Sequence, residues 1–233
     1  MKAWEGDRFS MRTLIIIPAY NEAQKIAEVV RSVRERGFDV LVVDDGSRDT
    51  TAAQAVHGGA QVVRHIINRG YGAALSTGNR YALRKGYDCA VHFDADGQHN
   101  PDEINAVIQP IASRTCDAVV GSRFLNTGSN VPAVRSILIK LAVLFTWFFS
   151  GIKLTDAHNG FRAFSREALE KIDCRQDGMA YASEVIDQIG EQRISFQEVP
   201  ITISYSEYSQ SKGESNIKKI LIGVRFLWSK IAR

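Results

Sequence analysis

Cysteine is scarce in this sequence, and that scarcity excludes several protein classes. The chain has three cysteines in 233 residues, Cys89, Cys116 and Cys174, which are far apart and odd in number. Such a set forms neither a disulfide framework nor a zinc-binding pattern, so we expect a reducing compartment, the cytoplasm. The excess of one charge over the other is also small. The formal net charge of +3 does not indicate a nucleic-acid partner, and we expect none.

Internal repeats and low-complexity linkers are missing as well, which leaves a simple domain organisation to consider. Residues 1–12 are polar and lack the apolar core of a signal peptide, so we predict a polar extension in which Met11 is an alternative start to Met1. Hydrophobic residues make up 45% and charged residues 24%, as in an ordinary folded domain. We therefore predict one large α/β domain over residues 13–212 and a basic amphipathic helix over residues 213–233.

No apolar run is long enough to span a bilayer, which takes about 20 residues. The most apolar run, 137–149, is interrupted by Lys140 and Thr146. It fits a core helix or a helix in the membrane interface with Trp147 at headgroup level, and its aromatic side chains favour the interface. The basic helix over 213–233 suits an anionic membrane surface, or equally docking on its own domain. We expect a peripheral protein at the inner membrane face.

Short, continuously apolar segments alternate with segments of helical periodicity. The first of them, 13–17, is β-branched and is expected to end at Pro18. Such alternation predicts a mostly parallel sheet with helices on both faces, and ligands then bind at the carboxyl ends of the strands. The predicted strands are 13–17, 40–43, 61–66, 88–91 and 117–121, and the predicted helices are 22–36, 49–56, 71–85 and 101–113.

The most informative stretch is 92–99, His-Phe-Asp-Ala-Asp-Gly-Gln-His, at the end of the fourth predicted strand. Asp94 and Asp96 are expected there, where both carboxylates can face one crevice and repel each other. Carboxylate oxygens suit Mg²⁺ or Mn²⁺, which proteins typically bind through one or two carboxylates plus substrate phosphates. We therefore hypothesise a divalent-metal site that holds a nucleoside diphosphate. The alternative is an acidic turn that caps the following helix.

Two further polar clusters follow the first two strands. Asp44 and Asp45 can accept hydrogen bonds from a ribose or base, or form an Asx turn around Gly46. Tyr20 can stack on a base or pack at the sheet edge, and Glu22 can bond a ribose or belong to the first turn of its helix. Because all three clusters follow strands of one sheet, we expect them to converge on one crevice.

A glycine-bearing loop and one arginine give weaker signals. The loop 68–74 carries Gly70 and Gly72 and runs into a helix, which allows backbone and ligand to approach closely. No G-x-G-x-x-G fingerprint follows the first strand, which disfavours a dinucleotide oxidoreductase. Arg123, just past the fifth strand, can pair with phosphate or be a solvated surface arginine.

Six motifs in order resemble the family two glycosyltransferases of GT-A fold, and among them the polyprenyl-phosphate (dolichyl-phosphate mannosyltransferase-like) glycosyltransferases. The resemblance runs from about residue 13 to about residue 216 and implies a Rossmann-like, mostly parallel sheet with helices on both faces. The motifs are Ile17-Pro18-Ala19-Tyr20-Asn21-Glu22, Val42-Val43-Asp44-Asp45-Gly46-Ser47, Asn68-Arg69-Gly70-Tyr71-Gly72, Asp94-Ala95-Asp96-Gly97-Gln98-His99, Gly121-Ser122-Arg123 and Asn159-Gly160-Phe161-Arg162.

The resemblance implies a role for each matching position. Mg²⁺ or Mn²⁺ would be held by Asp94, Asp96 and Gln98, with His99 as a weaker fourth candidate because it suits a capping or packing role. The base and ribose of a nucleotide sugar would be bound by Pro18, Tyr20, Glu22, Asp44, Asp45 and Gly72. Arg123 and Lys212 would face the diphosphate or the acceptor phosphate.

The remaining carried-over positions concern catalysis. Asp156, Gly160, Phe161 and Arg162 would lie where sugar donor and acceptor meet. In the family's inverting chemistry a nucleophile attacks the anomeric carbon while the metal stabilises the leaving nucleoside diphosphate. A lipid phosphate is already ionised near neutral pH, whereas a sugar hydroxyl needs a base, for which the candidates are Asp156 and Glu184. Glu184 fits a helix-surface glutamate equally well. The predicted catalytic residues are therefore Asp94, Asp96, Asp156, Arg162 and Glu184.

Three functions stay open from the sequence. The first is transfer of a hexose from a UDP- or GDP-linked sugar to a polyprenyl phosphate. The second keeps this donor but uses a hydroxyl of a growing surface glycan, and the third is nucleotide binding without transfer.

The loop 210–216 resembles the mobile loop that closes over the diphosphate in this family, and it departs from the family at two positions. Gln210 and Asn216 stand where close relatives often carry Arg and Lys, so closure of the loop would depend on Lys212.

Overall fold

A single mixed sheet is the frame of the molecule. The computed structural model describes residues 11–125, 143, 147, 151–156, 159–178 and 180–204. Within these residues seven strands pair in the order β3-β2-β1-β4-β6-β5-β7. The strands are β1 (Thr13–Ala19), β2 (Asp39–Asp44), β3 (Gln61–Arg64), β4 (Cys89–His92), β5 (Ala118–Ser122), β6 (Arg162–Ser165) and β7 (Phe196–Pro200).

Helices cover both faces of this sheet, as the alternating pattern predicted. Val29 and Ile104 belong to one apolar core, and Leu75 and Val185 belong to a second core on the other face. Each core is completed by alternate residues of the central strands, because neighbouring side chains of a strand point to opposite faces. The helices are α1 (Ile26–Arg34), α2 (Thr51–Gly58), α3 (Tyr71–Lys85), α4 (Ile104–Ala112), α5 (Arg166–Lys171) and α6 (Tyr181–Glu191), with a 3-10 turn at Pro101–Glu103 before α4.

Strand β1 continues through Pro18 to Ala19, two residues beyond the predicted end. Proline lacks the amide hydrogen that a central strand normally uses. The carbonyl of Ile16 accepts from Phe93 on the β4 side, and that of Ala19 accepts from Asp45 on the β2 side. Pro18 lies two residues after Ile16, so its backbone groups point the same way as those of Ile16, and its nitrogen faces the β4 side. There the pairing has already ended at Ile16 and His92, and the missing hydrogen costs nothing.

Strands β6 and β7 were not predicted, and β6 is the strand that shapes the site. It runs antiparallel to both neighbours, β4 and β5, and every other pairing is parallel among the described strands. Arg162 at the start of β6 is paired with His92 and with Val120, near the ends of β4 and β5. The segment just before β6 therefore lies at the carboxyl edge of the parallel strands.

Some predicted features lie outside the described residues, namely 1–10 of the polar extension, Lys212 and the helix over 213–233. Of the apolar run 137–149, only Val143 and Trp147 are described. Both are helical, and the Trp147 side chain is half-exposed with Lys153 Nζ 5.2 Å from its ring centre. Among the helices described, none has the length and apolarity needed to cross a membrane.

Candidate active site

The predicted polar clusters converge at the carboxyl edge of the sheet. The loops after β1, β2, β4 and β5 meet there with the segment before β6. The charges of Arg123 and Arg162 act on Asp94, and those of Glu22 and Asp94 act on Asp96, so these five groups lie near one another at this edge.

Asp94 lies at the centre of this crevice and is held on several sides. Its Oδ1 accepts a hydrogen bond from the Tyr71 hydroxyl at 3.1 Å, and its Oδ2 lies 3.4 Å from His99 Nε2. A Cβ atom at Gly160 would lie 2.7 Å from Oδ2, so the carboxylate packs directly over this glycine. Burial raises the pKa of Asp94, opposed by the Tyr71 hydrogen bond and by the two arginines, and 29% of its side chain stays exposed.

Asp96 is a second carboxylate near Asp94, and the charge of Asp94 contributes to its raised pKa. Its Oδ1 accepts the backbone N–H of Gln98 at 3.0 Å. Burial and the negative charge of Asp94 raise the pKa of Asp96 from 3.8 to about 6, with a smaller contribution from Glu22. Two carboxylates in this state favour a proton or a cation between them.

The chemistry of these two carboxylates fits a divalent cation. In the described part of the chain, no three His, Cys, Asp or Glu side chains cluster as a complete metal site. A magnesium-type ion does not need such a cage, because one or two carboxylates and the substrate phosphates supply its ligands. Asp94 and Asp96 are the residues that fit this role. The side chain of Gln98, the third predicted ligand, is half-buried on the same loop.

The ring of His99 packs against two aromatic side chains in this site. Its ring stacks on Phe161 at 4.9 Å and meets Phe93 edge-on at 5.2 Å. Burial lowers the pKa of His99 to about 4, so the ring is neutral near pH 7. Nδ1 accepts the backbone N–H of Asp94 at 3.2 Å, which leaves the hydrogen on Nε2, facing the Asp94 carboxylate. This arrangement orients Asp94 and agrees with the packing role weighed for His99.

Arg123 is buried and locked in place by Asp156. Its Nε donates to Asp156 Oδ2 at 2.6 Å, and its terminal nitrogen donates to Oδ1 at 3.3 Å. The two-point geometry fixes the plane of the guanidinium. Glu198 on β7 accepts the backbone N–H groups of Thr155 and Asp156 and so holds the loop that carries Asp156. Asp156 is thus engaged by Arg123, and its predicted roles as a catalytic residue and as a base remain predictions.

Asp44 and Asp45 differ in how much of their hydrogen-bonding capacity the protein uses. Asp45 accepts from His65 Nδ1 at 2.7 Å and from the backbone N–H groups of Arg69 and Gly70 at 2.9 and 2.6 Å. Asp44 Oδ1 accepts the Ser47 N–H at 2.9 Å. Its buried Oδ2 has no hydrogen bond within the described residues, although Arg64 Nε lies 3.1 Å away as an ion pair outside hydrogen-bond geometry. Asp44 therefore keeps an acceptor that Asp45 does not.

The loops after β1 and β2 support each other through Asn21. Asn21 has a left-handed backbone, with φ of 55°, and its Oδ1 accepts the Arg48 N–H. Its own N–H donates to Ser47 Oγ, and the Glu22 N–H donates to Thr51 Oγ1 at 2.8 Å. Beside them, Tyr20 is an exposed aromatic residue, 42% accessible.

Two predicted residues instead contact the segment 175–178. A Cβ at Gly72 would lie 2.2 Å from the Gln176 carbonyl oxygen, so the close approach allowed by this glycine is to the protein's own backbone. Glu184 accepts the backbone N–H groups of Arg175 and Gln176 at 2.8 to 3.0 Å. The predicted roles of Gly72 at the nucleotide and of Glu184 as a base remain predictions.

Arg162 lies beneath the crevice, and its guanidinium is tied to the backbone. Nε donates to the Asn159 carbonyl at 2.9 Å and a terminal nitrogen to the Ala182 carbonyl at 3.1 Å.

The sequence motifs did not assign roles to Tyr71 and Glu198, and they did not predict the hydrogen bond between Arg162 and the Asn159 carbonyl. Tyr71 was the detectable one, because it stands between the two glycines of the loop 68–74.

The sequence and the fold match a known class of enzyme. The family model for glycosyl transferase family 2 matches residues 14–173 of this sequence. The chain therefore belongs to this family, as the motifs predicted. The protein is therefore a glycosyltransferase, which disfavours the nucleotide-binding module without transfer activity.

Individual relatives cover nearly the whole chain. The UDP-N-acetylglucosamine–dolichyl-phosphate N-acetylglucosaminyltransferase of Methanococcus voltae is 34% identical over 241 residues, covering 94% of this chain and 96% of that protein. The polyprenol monophosphomannose synthase of Mycolicibacterium smegmatis is 34% identical over 235 residues, covering 93% and 87%.

A solved structure confirms the predicted GT-A-type α/β fold. Glucosyl-3-phosphoglycerate synthase from Mycobacterium tuberculosis, crystallised with Mn²⁺, UDP-glucose and phosphoglyceric acid, superposes with a TM-score of 0.75 at 18% identity. The match covers 96% of this chain and 79% of that one.

Proposed function

We propose that this enzyme transfers a hexose from a UDP- or GDP-linked sugar to a polyprenyl phosphate, with inversion at the anomeric carbon, at the inner face of the membrane. Two relatives with 34% identity are named for dolichyl-phosphate or polyprenol substrates. The observation that carries the proposal is the carboxylate pair Asp94 and Asp96, whose crowding favours a bound cation.

The donor would occupy the crevice from β2 to β4. Asp44, whose buried Oδ2 is paired with Arg64 but accepts no hydrogen bond within the described residues, would accept an N–H of the base, and the exposed Tyr20 would stack on it. Glu22, whose charge adds to the raised pKa of Asp96, would contact the ribose of the same nucleotide. At the diphosphate, Mg²⁺ or Mn²⁺ held by Asp94, Asp96 and Gln98 supplies positive charge against the leaving group. The Mn²⁺ and UDP-glucose in the structural neighbour agree with this assignment.

The acceptor would approach on the side of Arg123. Its guanidinium is fixed by Asp156 and lies close enough to act on Asp94, so a phosphate beside it would be near the donor diphosphate. A phosphate oxygen is already a nucleophile near neutral pH and needs no general base. This is consistent with a Glu184 carboxylate that is engaged by backbone amides. Lys212 is proposed to complete the diphosphate site.

The test is transfer of labelled sugar into lipid. The purified enzyme is incubated with radiolabelled UDP-N-acetylglucosamine, UDP-glucose or GDP-mannose, Mn²⁺ and a polyprenyl phosphate in detergent, and the mixture is extracted with organic solvent. We expect label in the organic phase with one donor, loss of transfer in EDTA or in Asp96→Asn, and an inverted anomeric configuration by NMR.

Two other outcomes would count against the proposal. Label that enters only a water-soluble glycan would favour a sugar hydroxyl as the acceptor. Label that enters the lipid equally well in EDTA would remove the metal from the mechanism.

A further inference from the structure

We propose that Tyr71 is a positioning residue for the metal end of the donor site, and that its hydroxyl holds the Asp94 carboxylate in the orientation that a divalent cation requires. This inference rests on the proposed function, because it assigns a role toward the same cation. Tyr71 touches neither substrate nor cation in this scheme and acts through Asp94.

The contact geometry leaves the carboxylate little freedom. The Tyr71 hydroxyl donates to Asp94 Oδ1 at 3.1 Å, while His99 Nε2 lies 3.4 Å from Oδ2. A Cβ added at Gly160 would lie 2.7 and 2.9 Å from the two Asp94 oxygens and 3.0 Å from the Tyr71 hydroxyl. The Tyr71 hydroxyl, the Asp94 carboxylate and Gly160 are therefore packed together. Rotation of the carboxylate would break its hydrogen bond with Tyr71, the shorter of its two side-chain contacts.

The position of Tyr71 is itself set by the nucleotide end of the site. Tyr71 is the first residue of α3, and the preceding Gly70 donates its N–H to Asp45 Oδ2 at 2.6 Å. Two residues later, the Ala73 N–H donates to the Asp177 carbonyl at 3.1 Å. The ring also packs against the core on the α3 face of the sheet. The start of α3 thus links the two loops, through the Gly70 N–H to Asp45 after β2 and through the Tyr71 hydroxyl to Asp94 after β4.

Loss of the hydroxyl should weaken metal binding more than it weakens the fold. Asp94 would lose its shorter side-chain hydrogen bond and keep the longer contact to His99, while it still faces the repelling charge of Asp96. Partners that orient metal-binding residues typically contribute about 10- to 100-fold in metal affinity or activity when they are removed. We expect a loss at the lower end for Tyr71→Phe, about ten-fold, because the ring and its packing remain.

The experiment measures Mn²⁺ binding directly, by the EPR signal of free Mn²⁺ titrated into the enzyme with and without UDP. Tyr71→Phe is compared with the wild type and with Tyr81→Phe, a matched control on the same helix whose hydroxyl donates to Gln61. We expect weaker Mn²⁺ binding in Tyr71→Phe alone. Its KM for Mn²⁺ should rise by about ten-fold, while kcat at saturating Mn²⁺ changes by less than about three-fold.

Asp96→Asn separates the two possible failures. If Asp96→Asn binds Mn²⁺ like the wild type, the metal site of the proposed function is wrong. If Asp96→Asn loses Mn²⁺ binding while Tyr71→Phe matches the wild type, the metal site stands and the role of Tyr71 is wrong. A Tyr71→Phe protein whose melting temperature in EDTA falls, and whose kcat falls with no change in KM for Mn²⁺, would also overturn the inference.

Discussion

Replacing Asp96 by asparagine should stabilise the metal-free protein, although it removes a residue that we place in the active site. The charged form of Asp96 is disfavoured in the folded state by burial and by Asp94, which raise its pKa from 3.8 to about 6. Folding therefore favours the neutral acid. That stabilisation is complete below about pH 4 and is lost as the pH rises through about 6.

The size of the effect follows from the same pKa. A rise from 3.8 to about 6 corresponds to at most about 3 kcal/mol lost by the wild type between acid and neutral pH, at about 1.36 kcal/mol per pH unit. Asparagine keeps an acceptor for the Gln98 N–H without the charge, so we expect it to recover about 2 kcal/mol. For a domain of this length, this is a rise in Tm of about 4 to 8 °C.

The assay is thermal unfolding of both proteins in EDTA at pH 4.5 and pH 7.5, repeated at pH 7.5 with Mn²⁺ and UDP. The variant should be more stable at pH 7.5 and indistinguishable from the wild type at pH 4.5. With Mn²⁺ and UDP only the wild type should gain stability, because only a ligand that binds the folded state raises Tm. Asp173→Asn, on an exposed carboxylate, is the control. A variant no more stable than the wild type in EDTA at pH 7.5 would show that the two carboxylates do not share a strained site.

Three further substitutions test other parts of the site. Gly160→Ala should lower turnover by about ten-fold or more with an intact fold, because its Cβ would displace Asp94; steady-state kinetics and circular dichroism together check this. Glu184→Gln should cost about 1 to 2 kcal/mol in urea unfolding while turnover stays within about three-fold, and a much larger loss of turnover would instead support the base assignment. Arg123→Lys should raise the acceptor KM and cost about 1 to 3 kcal/mol of stability, since a lysine cannot reproduce the two-point contact with Asp156; acceptor titration and urea unfolding measure both.

The parallel half of the sheet could be predicted because its signals are local. The run 13–17 is apolar and β-branched and is buried throughout in the structure. Strand β6 has no such signal, since Arg162–Ser165 is four residues long and half polar. Its extended state comes from pairing with β4 and β5, which no short window of sequence contains.

The site could be predicted as a gathering of residues, though not as a set of contacts. The strand-end rule brought Asp45 and Asp94 to the same edge of the sheet, and the motifs indicated the family. The sequence does not show that Asp45 is engaged by amides from the loop before α3, or that Asp94 is held by Tyr71. Both contacts join segments more than 20 residues apart, so they depend on the assembled fold.

The placement of β5 has a consequence for synthesis on the ribosome. Both strands that hydrogen-bond to β5, namely β6 and β7, come later in the chain. Translation at about 5 to 20 residues per second delivers this apolar strand seconds before its neighbours exist. The nascent chain therefore carries an unpaired sheet-forming segment for that interval, and this segment is exposed to aggregation until β6 and β7 follow.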